Sequence, residues 1–217
     1  VRVQDELGRA APEPWRPGGG GLVGGCFACF PRGVAGPGRS GEPVWAAAVA
    51  LEGPREACAA TLAGRTGAPY RPGLLALRLG PLLEAVVRAL AEPPEVLLVD
   101  ATGRDHPRRA GLALHLGALL GVPTIGVTHR PLVARGDWPP PERGAWSALV
   151  LDGEVVGAWL RTRDRARPVA VHAAWRTDVA TAVDQVLAAS GAARTPEPLR
   201  RARRLARLAR GRPGAGA

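Results

Sequence analysis

Residues 95–129 leave few folds open to this chain. Val96, Leu97, Leu98 and Val99 form a continuously apolar run, closed by Asp100. A strand apolar on both sides has to lie in a sheet covered on both faces. A loop with Gly103, His106, Pro107, Arg108 and Arg109 follows. Then Leu112, Leu116, Leu119 and Leu120 recur at helical spacing. Gly121 and Pro123 stop that helix, and Thr124 to Val127 reads as a second strand. The unit is βαβ, so the class is α/β. Asp100 falls at the carboxyl end of a strand, the edge where open α/β sheets place ligands. Position alone leaves it open between a capping residue and an active-site carboxylate; the His and two Arg in the same loop favour the second.

The remaining segments extend this unit. Val3 to Arg9 can form a short helix, but Pro and four consecutive Gly at 18–21 make residues 1–21 a flexible lead-in. Leu22–Phe30 and Val44–Leu51 read as strands around a Gly/Pro turn region at 31–43. Arg55–Ala63 is a third strand or a short helix. Three such strands make an antiparallel meander. Pro69, Tyr70, Arg71 and Pro72 form a stiff turn, which either packs its Tyr or presents it as a stacking wedge. Leu74–Ala91 is an amphipathic helix stopped by Pro93 and Pro94. Residues 134–146, with Trp138 and Trp146, form a polar loop. A hairpin follows at Ala148–Leu151 and Glu154–Arg161 around Asp152-Gly153. Pro168–His172 is a further strand, Thr177–Ala189 a helix and Pro196–Arg210 a last helix. That helix has Leu199, Ala202, Leu205, Ala206 and Ala209 on one face and Arg on the other. Either it docks with solvated Arg or it also flanks a phosphate. The organisation expected is a lead-in at 1–21, a domain at 22–192 and a basic helix and tail at 193–217.

Charge narrows the partner. The formal net charge is +10, but residues 194–212 alone contribute +7. An anionic partner is expected, with only a modest charge on the rest of the domain. Cys26 and Cys29 form a CxxC inside an apolar run with no second pair. They read as buried small hydrophobes rather than as a zinc or redox site, and with Cys58 the three do not make a secreted disulfide framework. No apolar run reaches membrane-spanning length and no signal peptide opens the sequence, so a cytoplasmic protein with no membrane contact is expected.

Five segments carry a resemblance: PYRPGLLALR (69–78), LLVDATGRDHPRRAGLALHLG (97–117), PTIGVTHRPL (123–132), DGEVVGAWLRTR (152–163) and RTPEPLRRARRLA (194–206). In order and spacing they resemble the endonuclease V family, the deoxyinosine-directed repair nucleases, over roughly residues 22–206. The resemblance implies a ribonuclease H-like fold, with a mixed central sheet (meander plus parallel strands) flanked by helices. It implies Mg²⁺-dependent cleavage 3′ of a deaminated base in DNA, or in some members RNA; separately, a monomer is expected. Three carboxylates would hold the metal against the scissile phosphate. Carried over by residue, Asp100 is the fourth-strand carboxylate, and the wedge is Pro69, Tyr70, Arg71 and Pro72. Gly103, His106, Arg108, Arg109, His115 and His129 would supply phosphate-facing and pocket-lining groups. His129 stands where the family has Lys.

The departures decide what to expect of catalysis. Phe27 stands where the resemblance implies the first-strand Asp, and between Leu7 and Gly41 the sole carboxylate is Glu13. Leu79 stands where it implies the helix Glu, and Glu84, five residues on, faces elsewhere. Asp100 is then the one metal ligand carried over. The first expectation is a homologue that binds nucleic acid with cleavage lost or strongly reduced, with Phe27 and Leu79 packed together beside Asp100. The alternative is an active endonuclease with a metal site rebuilt around Asp100. Its partners would come from His106, His129 or His172; Asp105, Glu42 and Asp178 are the nearby carboxylates, and no geometric reason favours them. A third possibility is an interaction protein with no nucleic-acid role.

Overall fold

A computed structural model of the chain describes residues 1–33 and 38–211. In chain order the elements are α1 (Arg2–Arg9), β1 (Val23–Cys29), β2 (Pro43–Glu52), β3 (Arg55–Arg65), α2 (Leu75–Arg88), β4 (Val96–Val99), α3 (Leu112–Leu120), β5 (Thr124–Thr128), β6 (Trp146–Leu151), β7 (Glu154–Leu160), β8 (Val169–Ala173), α4 (Val179–Ser190) and α5 (Glu197–Arg210). Among the described residues the strands form one eight-stranded sheet, in the order β3-β2-β1-β4-β5-β8-β7-β6. β1, β4 and β5 run parallel, and the pairs on either side are antiparallel. The meander, helix and βαβ unit thus assemble into the mixed sheet that the resemblance implies.

Burial follows strand composition. Every residue of β4 is buried, as its unbroken apolar run requires for a strand between two others and under helices on both faces. Leu97 and Val99 join the core beneath α2 and α3, while Val96 and Leu98 join the core beneath α4 and α5. β3 alternates instead, because it is the edge strand with one covered face. It settles Arg55–Ala63 as a strand and extends it to Arg65. α2 ends at Arg88, three residues before the expected Ala91, and β6 takes in Trp146 from the expected loop. Cys26 and Cys29 are buried three positions apart in β1, so they point to opposite faces of the sheet and make no pair.

α1 and α5 are both tied to the body of the domain. Residues 2–9 form α1, whose Gln4 is buried and donates from Nε2 to the carbonyls of Gly73 (2.8 Å) and Ala110 (3.3 Å). Arg104 donates to the carbonyls of Gly8 and Ala10. α5 lies across β1 and β2, with Ala202, Ala206 and Ala209 buried against Val49, Trp45 and Cys29. The docked form of this helix is therefore the observed one. The turn region at 31–43 falls partly, and the end of the basic tail wholly, outside the described residues.

Candidate functional site

The sheet register assembles the site. β1 and β4 pair with Cys26 opposite Val99, so Phe27 and Asp100 occupy the next positions of two neighbouring parallel strands. The carboxylate of Asp100 is partly exposed and accepts from Arg203 of α5, with Nη2 to Oδ2 at 3.1 Å. The same guanidinium lies over the ring of Phe27, 5.1 Å from its centroid. Arg203 thus stacks on an aromatic ring while its charge is met by the one carboxylate of the site. His129, just past β5, shares this environment. Its pKa is lowered by partial desolvation and by the Arg194 and Arg203 guanidiniums, with Asp100 acting in opposition.

Phe27 and Leu79 do not pack together as expected. Leu79 is buried in the core under α2 with Cys26, Leu83 and Val99. Phe27 packs with Leu205 and Ala206 on the α5 face. The alternation of β1 puts Cys26 and Phe27 on opposite faces, and the α2 side chain follows the first of them.

The loop after β4 is held to its surroundings by backbone geometry. Gly103 is required by a close approach, since a Cβ there would stand 2.2 Å from the carbonyl of Ala173. His106 is buried; its Nδ1 accepts from the amide of Arg108 (3.1 Å) and its Nε2 lies 3.0 Å from the carbonyl of Gly73. Those two bonds fix a neutral ring with the proton on Nε2, and burial lowers its pKa in keeping with that. His106 therefore ties this loop to the turn at Pro69–Pro72. All four residues of that turn are exposed, Tyr70 among them. The turn stands out as a rigid prow rather than packing its ring.

Other expected site residues are engaged elsewhere. Arg109 donates to the carbonyl of Leu151 and pairs with Asp152 and Glu154, so it holds the β6–β7 hairpin. Arg108 reaches Asp5 of α1 at 3.8 Å. His115 is partly buried near Glu84 of α2, and its pKa is lowered by desolvation. Asp105 is fully buried and accepts the backbone amides of Leu132, Val133 and Ala134 at 2.6–2.8 Å. Glu42 pairs with the buried Arg78, and Asp178 caps α4 by accepting from the amide of Thr181. His172 is fully buried, with Nε2 2.8 Å from the Thr128 hydroxyl and Nδ1 3.5 Å from Asp105. A cavity of about 830 Å³ lies apart from all of these, between the β2–β3 turn and the facing ends of α4 and α5.

Comparison with known proteins settles the lineage. The endonuclease V family model matches residues 33–204. The chain belongs to the endonuclease V family. It is similar to endonuclease V of Streptomyces coelicolor, with 41% identity over 95% of this chain and 88% of the relative. It is also similar to the crystal structure of Streptomyces avermitilis endonuclease V, at 39% identity and TM-score 0.86, covering 96% of this chain and 90% of that one. Ciona intestinalis endonuclease V, crystallised with a 24mer DNA containing an inosine, shares the fold at 23% identity and TM-score 0.76, over 95% of this chain and 94% of that one.

The Mg²⁺ that the endonuclease V resemblance implies does not fit these side chains. Mg²⁺ takes hard oxygen ligands, commonly one or two protein carboxylates with water and phosphate. One carboxylate would meet that count, but Asp100 already pairs with the Arg203 guanidinium, whose positive charge opposes a second cation, and a phenyl ring rather than an oxygen stands beside it. Among the described residues no three His, Cys, Asp or Glu side chains group so as to hold a metal ion.

Sequence reasoning missed Arg203, read there as one solvated Arg among several. Its separation from Asp100 by 103 positions leaves no local signal.

The buried His172 sets a pH dependence. Burial lowers its pKa from 6.5 to about 4, against the opposing pull of Asp105. The unfolded chain then binds a proton between those values that the folded chain does not. Stability is full above pH 6.5 and falls as the pH drops toward 4, by on the order of 2–3 kcal/mol from this group. Urea melts from pH 7 to 4 are expected to show that decline, and His172→Gln is expected to flatten it.

Proposed function

We propose that this endonuclease V homologue binds nucleic acid related to deaminated, inosine-containing DNA and has lost or nearly lost phosphodiester cleavage. The observation that carries the proposal is the Arg203–Asp100 ion pair, which sits where the family resemblance implies a metal. A side-chain cation already neutralises the remaining carboxylate, and Phe27 and Leu79 supply no other. Nucleic-acid binding is supported by the family, by the inosine-containing DNA held by the Ciona relative, and by the exposed Pro69–Pro72 prow with its Tyr70 ring. Such a ring can stack on a base or enter between two. A site rebuilt around Asp100 draws no support from Asp105, Glu42, Asp178 or His172, each committed to a structural bond.

Incubation with an inosine-containing duplex in Mg²⁺ or Mn²⁺ tests the proposal. The expected result is a retarded but uncut duplex. Robust nicking that disappears in Asp100→Ala would overturn it.

A further inference from the structure

We infer that the outward face of α5, together with Arg32, is a metal-independent seat for the sugar–phosphate backbone. The inference rests on the nucleic-acid-binding function proposed above and adds the surface and the source of its positive charge.

Arg200, Arg203, Arg204 and Arg207 recur every three or four residues, so they form one stripe about 10 Å long on the helix. With Arg32 and Leu208 they line a groove of about 370 Å³. Part of this charge is spent. Arg200 and Arg201 share Glu197, and Arg203 is bound to Asp100. Arg32, Arg204 and Arg207 are exposed and, among the described residues, have no carboxylate within ion-pair distance. The stripe passes the end of β4 at Arg203, where Arg203 and Arg194 also act on His129.

Two arguments select a nucleic acid over other anionic surfaces. A helix that binds a lipid interface must offer its apolar face to the lipid. The apolar face of α5, including Ala202, Ala206 and Ala209, is buried against β1 and β2. Guanidiniums in a row also match successive phosphates by paired N–H donors. Metal independence has an electrostatic origin. A cluster of carboxylates needs a divalent ion before it tolerates a phosphate. Asp100 already carries its counter-charge in Arg203, and the neighbouring groove is cationic without any ion.

The test is fluorescence anisotropy of a labelled inosine-containing duplex in EDTA over a salt series. The wild type is expected to bind, with log affinity falling linearly against log salt. R32Q/R204Q/R207Q is expected to bind at least about 10-fold more weakly near 0.1 M salt, with a slope shallower by about 2–3. R32K/R204K/R207K should keep the wild-type slope, and an unchanged thermal melt shows that the Gln variant is folded. Equal affinity and slope for the wild type and the Gln variant would overturn the α5 seat and leave nucleic-acid binding standing. No binding by the wild type in EDTA, with binding restored by Mg²⁺, would overturn the metal-independent seat alone. No binding under either condition would overturn the function proposed above as well. Stronger binding to phosphatidylserine vesicles than to the duplex, lost in the Gln variant, would overturn the choice of partner.

Discussion

Asp105→Ala is expected to destabilise the protein by about 3–5 kcal/mol, a large share of the roughly 5–15 kcal/mol that holds a domain folded. Asp105 is fully buried, and its two oxygens accept three successive backbone amides, from Leu132, Val133 and Ala134. Bonds to a charged acceptor contribute more than neutral ones, and a buried amide left without a partner adds a desolvation cost. The anchored segment runs into Arg135, whose backbone pairs with Val150 of β6. Loss of the carboxylate therefore releases the link between the βαβ unit and the β6–β7 hairpin. Urea melts should show a lower midpoint, and amide exchange should be fastest at residues 132–135. Asp105→Asn, which keeps one acceptor oxygen, should cost less than Asp105→Ala. Equal stability of all three proteins would remove Asp105 from this role and return it to the candidates for a metal ligand.

The second large effect is on cleavage. Strand scission of an inosine-containing duplex in Mg²⁺ is expected to be slower by at least about 10³-fold than for a relative that has the three carboxylates. Groups that act as one unit do not lose activity in proportion; removing one already costs most of it. On the proposed reading two are replaced here, by Phe27 and Leu79, and the third, Asp100, is bound to Arg203. It follows that Asp100→Ala should leave any trace nicking unchanged, whereas in a working site it would cost orders of magnitude. Measured rates for the wild type and Asp100→Ala under the same Mg²⁺ and Mn²⁺ conditions decide the point.

The fold was largely legible because its cues are local. The unbroken apolar run of β4, the Gly and Pro that stop α3 and the Asp-Gly turn of the hairpin each act within a few residues. The fold places them as read, with helix and strand ends shifted by a few positions. What was not legible depends on register and on which face of the sheet a residue takes. Phe27 and Leu79 were joined by the family comparison, yet the pleat of β1 sends them to opposite sides. Arg109 reads as a phosphate contact beside His106, but β6 and β7 bring Asp152 and Glu154 against it. Arg203 lay in a run of similar Arg residues, and only the crossing of α5 over β1 and β4 sets it against Asp100. Asp105, read as a spare carboxylate, is a backbone anchor because the chain returns to it at Leu132.

On the proposed reading the Arg203 guanidinium has taken the place of the metal. Mn²⁺ is spectroscopically visible and uses the same hard ligands as Mg²⁺, so paramagnetic resonance of a Mn²⁺ titration, run on the wild type and Asp100→Ala side by side, tests that claim directly. The predicted result is two superimposable curves, with no bound Mn²⁺ that depends on Asp100. One equivalent of Mn²⁺ held by the wild type and lost in Asp100→Ala would contradict it.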